Sequence, residues 1–171
     1  MSPSIAVIIV LTTVLSAAAQ QSTRPDVKLE CAANKASYTS FESVDLTISF
    51  HNQGSSDVYV YEVIEWGWTG LRFRLLDSSG HVVALRKPPP LPPPPPPLRD
   101  KSQLLELREG YFYGAHLLFD LALYDVKPGA YSIQTSYRSY YRAADGFGLP
   151  ILTWDDGEFV SNKVEIQIRP N

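Results

Sequence analysis

The sequence predicts an all-β protein, an antiparallel β-sandwich of about 7–9 short strands. In residues 44–50 apolar and polar side chains alternate, which is typical of a strand with one buried and one solvated face. The same alternation runs through residues 131–137, directly after the turn residues Pro128 and Gly129. Other short apolar segments recur between turn-forming residues, and no long segment has the period of a helix.

The first residues predict export rather than a folded element. Residues 5–15 are a mostly apolar run, and the small residues 16–19 follow it, which is the layout of a secretory signal peptide. An uncleaved anchor is the alternative, but the run is shorter than the roughly 20 residues that a bilayer requires. We expect a secreted or periplasmic protein with a signal peptide at 1–19, a flexible lead at 20–26 and a single β-sandwich domain at 27–171.

Composition narrows the classes of function. The net charge is -3 and Lys and Arg do not cluster, so we expect no nucleic-acid partner. Because no second long apolar run follows residue 19, we expect no membrane contact after signal cleavage. Cys31 is the single cysteine, so no disulfide can form within the chain. Val27, Leu29 and Cys31 alternate with Lys28 and Glu30, which predicts a small buried side chain in a strand; a reactive thiol or an intermolecular disulfide is the alternative.

In the first half of the domain we expect three strands. They cover residues 27–32, 44–50 and 58–64, with a turn-rich connection at 34–42. The polar loop at 52–56 suggests that the second and third strands form a hairpin.

A second hairpin is predicted from residues 71–75 and 81–86, joined by a turn at 77–80. The polyproline insertion at 87–98 cannot pair inside a sheet, because proline lacks the backbone N–H and has a fixed φ. Such a segment favours an extended polyproline II rod, which either spaces the strands or docks in an aromatic groove.

The second half of the domain contains four predicted strands, a turn and a long loop. The strands are at 104–107, 111–119, 131–137 and 160–168, with the third of them at the centre of a sheet. A turn or short helical turn is expected near 119–124, and residues 142–158 form a Gly- and Asp-rich loop.

Residues that could carry chemistry are few. His51, His81 and His116 are isolated and match no zinc-ligand spacing. No G-x-S-x-G elbow exists and no His lies near Cys31 in sequence, so we expect neither a catalytic residue nor a cofactor. Asp155, Asp156 and Glu158 are weak candidates for calcium ligands; a solvated β-turn with Asp-Gly as its turn pair is the alternative.

Aromatic residues near loops are the better sign of function. Tyrosine and tryptophan are enriched at binding surfaces, although they also fill cores and strand ends. The candidate binding residues are Trp66, Trp68, Tyr140, Tyr141 and Trp154.

Three segments resemble known extracellular domains. They are Glu42 to Gly54 (E-x-V-x-L followed by N-x-G), Phe73 to Gly80, and Leu107 to Gly110 together with Val126 to Tyr131 (L-x-x-G followed by P-G-x-Y). Their order is similar to immunoglobulin-like domains, to BsuPI-type proteinase-inhibitor domains and to the N-terminal sandwich of deuterolysin-type metalloproteases. The resemblance covers most of residues 27–141 and implies an immunoglobulin-like topology. The zinc motif of the metalloproteases is absent, so their activity does not carry over.

These observations favour an exported, non-catalytic immunoglobulin-like domain that binds a protein or glycan partner through its loops. The first alternative is an extracytoplasmic proteinase inhibitor, which would need a protruding loop such as the proline tract or residues 142–158. The second alternative is a hydrolase of an unrecognised kind.

Overall fold

The computed structural model describes residues 24–65, 70–87 and 96–170, and in these ranges the protein is all-β. Its helical segments there are four 3-10 turns, none longer than four residues. The strands are β1 (Val27–Ala33), β2 (Ser37–Thr39), β3 (Ser43–Asn52), β4 (Val58–Tyr61), β5 (Leu71–Asp77), β6 (Leu104–Leu107), β7 (Phe112–Asp120), β8 (Gly129–Tyr137) and β9 (Phe159–Arg169).

The strands form three sheets. One has the order β1-β3-β7, a second the order β2-β9-β8-β5, and β4 pairs with β6 in a two-stranded sheet. All these pairs are antiparallel except β2 with β9, which run parallel over three residues. The expected central strand is confirmed, because β8 lies between β9 and β5.

One hydrophobic core contains side chains from all three sheets. Alternate residues of β3 from Val44 to Phe50 are at most 1% exposed, as their period-two pattern predicts. Ring contacts join the larger sheets: Phe50 of β3 meets Tyr137 of β8 with centroids 4.8 Å apart, and Phe73 of β5 meets Phe119 of β7 at 5.5 Å. Each such buried apolar side chain stabilises the fold by about 1.5–3 kcal/mol.

Most predicted strands are present with small changes in their ends. The expectations for 27–32, 44–50, 104–107, 111–119, 131–137 and 160–168 are confirmed as β1, β3, β6, β7, β8 and β9. A 3-10 turn at Leu121–Leu123 follows β7, where a turn was expected. Cys31 is buried in β1, also as expected.

The predicted hairpin between residues 44–50 and 58–64 is wrong. Both edges of β3 are occupied, by β1 and by β7, so β4 pairs with β6 instead. Asn52, at the end of β3, explains the change of direction: its side-chain amide donates to the carbonyl oxygens of Ser56 and Leu107, which draws the following loop toward β6.

Two other segments differ from expectation. The connection at 34–42 contains β2, which is too short for its alternation to be recognised. The segment 81–86 is a strand only in part, since it makes two isolated bridges, Leu76 with Val82 and Leu85 with Tyr124.

Some sequence-based expectations lie outside the described residues. These are the signal peptide at 1–19, the candidate residues Trp66 and Trp68, and most of the proline insertion at 87–98. In the ranges that are described, no helix has the length and apolar character needed to cross a membrane.

Candidate functional site

Three segments that are distant in sequence enclose a groove of about 870 Å³. They are the lead into β1 (residues 24–26), the loop from the end of β3 to the start of β4 (residues 52–58), and the long loop before β9 (residues 143–156). Loops carried on a rigid scaffold are where binding residues concentrate, so this groove is the candidate site.

Asn52 fixes the first wall of the groove. Its side chain is buried, and its Nδ2 donates to the carbonyl oxygens of Ser56 at 2.9 Å and Leu107 at 2.8 Å. Its Oδ1 accepts from the backbone N–H of Gly54 at 3.0 Å. One amide thus holds both ends of the 52–56 turn, and the buried polar atoms are satisfied.

The lead into β1 is bound to this loop through its backbone. The carbonyl oxygen of Asp26 accepts from the N–H groups of Gln53, at 2.8 Å, and Gly54, at 3.1 Å. Arg24 lies with its guanidinium 4.2 Å from the centre of the Phe159 ring and donates to the carbonyl oxygen of Glu158 at 2.9 Å. The lead therefore has a defined position from residue 24 onward.

The long loop forms the opposite wall and pairs with β4 like a short extra strand. The N–H of Tyr59 donates to the carbonyl of Pro150 at 2.9 Å, and the N–H of Leu152 donates to the carbonyl of Tyr59 at 2.8 Å. Ile151 lies between them and is buried. Its side chain packs so closely on Gly146 that a Cβ at residue 146 would lie 3.0 Å from it. The loop is thus packed onto the domain.

Carboxylates dominate the charge of the groove. Among the described residues, Asp26, Asp57, Asp155 and Asp156 line it, against one guanidinium, that of Arg24. Asp156 accepts from the N–H of Thr153 at 2.6 Å and from its hydroxyl at 2.8 Å, which caps the 3-10 turn Trp154–Asp156. The groove therefore attracts positively charged groups.

Of the predicted binding residues, Tyr141 and Trp154 lie together beside the groove. The N–H of Trp154 donates to the carbonyl of Tyr141 at 2.7 Å. The guanidinium of Arg138 lies 3.6 Å from the centre of the Trp154 ring and covers one face of it. Tyr140 is half-buried next to them.

Tyr141 is mainly structural in this arrangement. Its ring is buried and meets that of Tyr61 edge-on, with centroids 5.5 Å apart, and its hydroxyl donates to the carbonyl of Pro96 at 3.1 Å. Burial raises the pKa of Tyr141 to about 12. A buried phenol offers little surface to a partner, whereas the exposed part of the Trp154 side chain can contact one.

The acidic residues proposed as calcium ligands are placed differently from one another. The carboxylate of Asp156 already accepts hydrogen bonds from the N–H and the hydroxyl of Thr153. Asp155 is exposed, and one of its carboxylate oxygens lies 4.0 Å from a guanidinium nitrogen of Arg142. Within the described ranges, no three His, Cys, Asp or Glu side chains form a group that could hold a metal ion, and Asp155, Asp156 and Glu158 are among the residues searched.

Sequence reasoning missed the residues that build the groove, above all Asn52, Asp26 and Asp57. One signal was present: the alternation of β3 places Asn52 on the buried face, and a buried amide needs fixed partners. Asp26 and Asp57 carry no such signal, since each is a single exposed residue brought to the groove by pairing between distant strands.

The comparisons with known proteins add no name to this site. No protein-family model matches the chain. A search of curated proteins finds no match to it either.

Proposed function

We propose that the chain is an exported, non-catalytic domain with an immunoglobulin-like β-sandwich topology, which binds a partner through its loops. The groove between residues 24–26, 52–58 and 143–156 is the observation that carries this proposal. Its walls are held by backbone hydrogen bonds, and it combines an apolar strip at Val58 and Leu149 to Ile151 with a rim of carboxylates. Convergent apolar and polar groups in a concave surface are typical of a binding site.

The charge of the groove favours a protein segment with Lys or Arg side chains over a glycan. The exposed aspartates Asp26, Asp57 and Asp155 would pair with cationic side chains, while apolar stems of those side chains would pack on the strip beside them. A glycan would need an open aromatic face to stack on, and Trp154, with one face covered by Arg138, is not among the residues that line the groove. A protein partner with a basic segment is therefore the preferred class.

The packing of residues 142–158 supports a binding module over a proteinase inhibitor. An inhibitor presents a protruding loop to the protease, whereas this loop pairs with β4 and buries Ile151 and Leu152. A panel of secreted proteases tests the inhibitor alternative, for which we expect no inhibition.

A displayed library of random peptides and a glycan array test the proposed partner class. We expect enrichment of peptides that contain Lys or Arg, and binding that weakens as salt is raised, because surface charges are screened within about 8 Å at physiological ionic strength. Replacing Asp57 and Asp155 together by Lys should weaken this binding by about tenfold, the equivalent of ~1.4 kcal/mol.

A matched variant separates groove charge from net charge. Glu109 and Asp125 are exposed and lie outside the groove, so replacing both by Lys gives the same net charge with the groove intact. This control should keep wild-type affinity. Equal losses in both variants, or binding to glycans without any peptide binding, would contradict the proposal.

Export has its own test. Sequencing the N-terminus of the protein recovered outside the cytoplasm should give Gln20 as the first residue, as expected for cleavage after Ala19. Retention of residues 1–19 would argue for the anchored alternative.

A further inference from the structure

Strand β7 is at the edge of the sheet β1-β3-β7. One side of it pairs with β3 over nine residue pairs, and no strand of the described ranges pairs with the other side. An edge strand presents a row of backbone N–H and C=O groups that can pair with another chain.

The phase of the β3–β7 ladder identifies which groups those are. The N–H of Leu121 donates to the carbonyl of Glu42, and the N–H of Asn52 donates to the carbonyl of Tyr111. In an antiparallel pair, residues bonded to the partner alternate with residues whose N–H and C=O point away. The odd-numbered residues of β7 therefore face β3, and Phe112, Gly114, His116 and Leu118 direct their backbone groups to the open edge.

The side chains of this edge are unusual for a surface strand. Phe112 and Leu118 are 68% and 71% exposed, although both are large and apolar. Natural edges are protected by lysines, prolines or bulges, and the segment Phe112–Leu118 contains no lysine and no proline and has a regular register with β3. His116, in the middle of this segment, already has a carboxylate oxygen of Asp45 3.5 Å from its ring nitrogen.

We propose that β7 pairs antiparallel with β7 of a second copy of this chain, with the two-fold axis at Ala115. In this register Phe112 of each copy lies opposite Leu118 of the other, and Gly114 lies opposite His116. On the core side Tyr113 faces Leu117, and the two Ala115 side chains meet on the axis. Two sheets of three strands become one continuous sheet of six.

The fit between the two copies selects this register. It forms two aromatic–aliphatic pairs on the outer face, and cross-strand pairs of this kind stabilise a sheet by about 0.2–1 kcal/mol each. The bulkier His116 lies opposite a glycine, so no two large polar groups compete for space. The neighbouring symmetric register has its axis at His116. It places the two His116 rings opposite each other and the apolar Phe112 opposite the carboxylate of Asp120, so it lacks the two aromatic–aliphatic pairs.

The dimer uses a surface separate from the groove. None of the β7 residues lines the groove, so both grooves of the dimer stay open. Each copy contributes its β7 edge to the two-fold dimer, so neither copy has a free β7 edge left. Pairing through β7 therefore stops at two chains.

Cysteine cross-linking tests the register. Residues on the axis of the proposed dimer form a non-hydrogen-bonded pair with Cα atoms about 4.5 Å apart, inside the range for a disulfide. We expect Ala115→Cys to form a covalent dimer under mild oxidation. His116→Cys should cross-link poorly, and the wild type, whose Cys31 is buried, should not cross-link. Preferential cross-linking of His116→Cys, or none in either variant, would overturn the proposed register.

Sedimentation of the purified protein tests the dimer itself. We expect a concentration-dependent dimer for the wild type. Leu118→Lys removes both Phe–Leu pairs and should raise the dimer dissociation constant at least about tenfold. Leu123→Lys makes the same substitution at an exposed leucine just outside β7 and should leave dimerisation unchanged. A monomeric wild type, an open-ended series of oligomers, or equal effects of the two variants would overturn the proposal.

Discussion

The side-chain amide of Asn162 pairs with the backbone of Cys31 as a neighbouring strand would. Its Oδ1 accepts from the N–H of Cys31 at 3.0 Å, and its Nδ2 donates to the carbonyl of the same residue at 2.9 Å. Asn162 belongs to β9 and Cys31 to β1, which lie in different sheets. The amide therefore links the two larger sheets and occupies backbone groups at the edge of β1.

Replacing Asn162 by Ala should destabilise the fold by about 1–3 kcal/mol, because both hydrogen bonds of the part-buried Cys31 backbone are lost. Urea unfolding measures the effect. Gln167→Ala is the control on the same strand, since the Gln167 side chain makes a single 3.4 Å contact with the next residue's carbonyl. Equal stability of the two variants would show that the Asn162–Cys31 pairing contributes nothing.

Gly70 and Gly80 predict a contrast between two glycines with nearly the same φ. Both have positive values, +84° and +81°, which cost an L-residue about 1–2 kcal/mol. A Cβ at Gly80 would meet no atom within 4 Å, whereas a Cβ at Gly70 would lie 1.8 Å from the carbonyl oxygen of Arg138. We expect Gly80→Ala to lower the free energy of unfolding by the backbone cost alone, and Gly70→Ala by clearly more. Thermal melts that give equal losses would contradict the close approach of residues 70 and 138.

Asn52→Ala should be among the more damaging polar substitutions. It removes the amide donor from the buried carbonyl of Leu107, at a cost of about 1–3 kcal/mol. The N–H of Gly54 loses one acceptor but keeps the carbonyl of Asp26. The substitution should also loosen the 52–58 wall, seen as faster amide exchange at residues 53 and 54. Gln53→Ala, an exposed neighbour, is the control and should change neither measurement.

The buried tyrosines predict a loss of stability at high pH. Burial raises the pKa of Tyr124 and of Tyr141 to about 12 from an ordinary value near 10. Below pH 10 both folded and unfolded chains keep these protons, so stability is at its full value. Between pH 10 and 12 the unfolded chain ionises first and is favoured, so stability falls as pH rises.

Tyrosinate absorbance and urea unfolding across this range measure the effect. Tyr141→Phe should make the fall in stability less steep, while Tyr111→Phe, at an exposed tyrosine, should not alter it. Titration of Tyr124 and Tyr141 near their ordinary pKa in the folded protein would contradict the burial argument.

Local pattern predicted the strands better than their partners. The alternation in β3 and β8 follows from the side-chain period of a strand, so it can be recognised within seven residues. The pairing of β4 with β6 depends on residues more than forty positions apart, such as Tyr61 opposite Leu104. No local signal encodes that choice, which is why a hairpin of β3 with β4 was predicted instead.

The sequence indicated one residue beside the candidate site but not the residues that form its walls. Trp154 was expected at a binding surface because of its residue type and its loop, and it lies beside the groove. The walls of the groove depend on Asn52 and Pro150, which come together through the packing of β4 against the long loop. Sequence alternation indicates that Asn52 is buried but not what it holds.

The hydrogen bonds between Tyr59 and residues 150 and 152 have a kinetic consequence. This wall of the groove is already paired with β4 in the free protein, so binding of a partner would not require a slow ordering of the loop. Its association rate would then be set by diffusion and charge attraction, rising linearly with partner concentration and falling with salt. Rapid mixing would find a single phase.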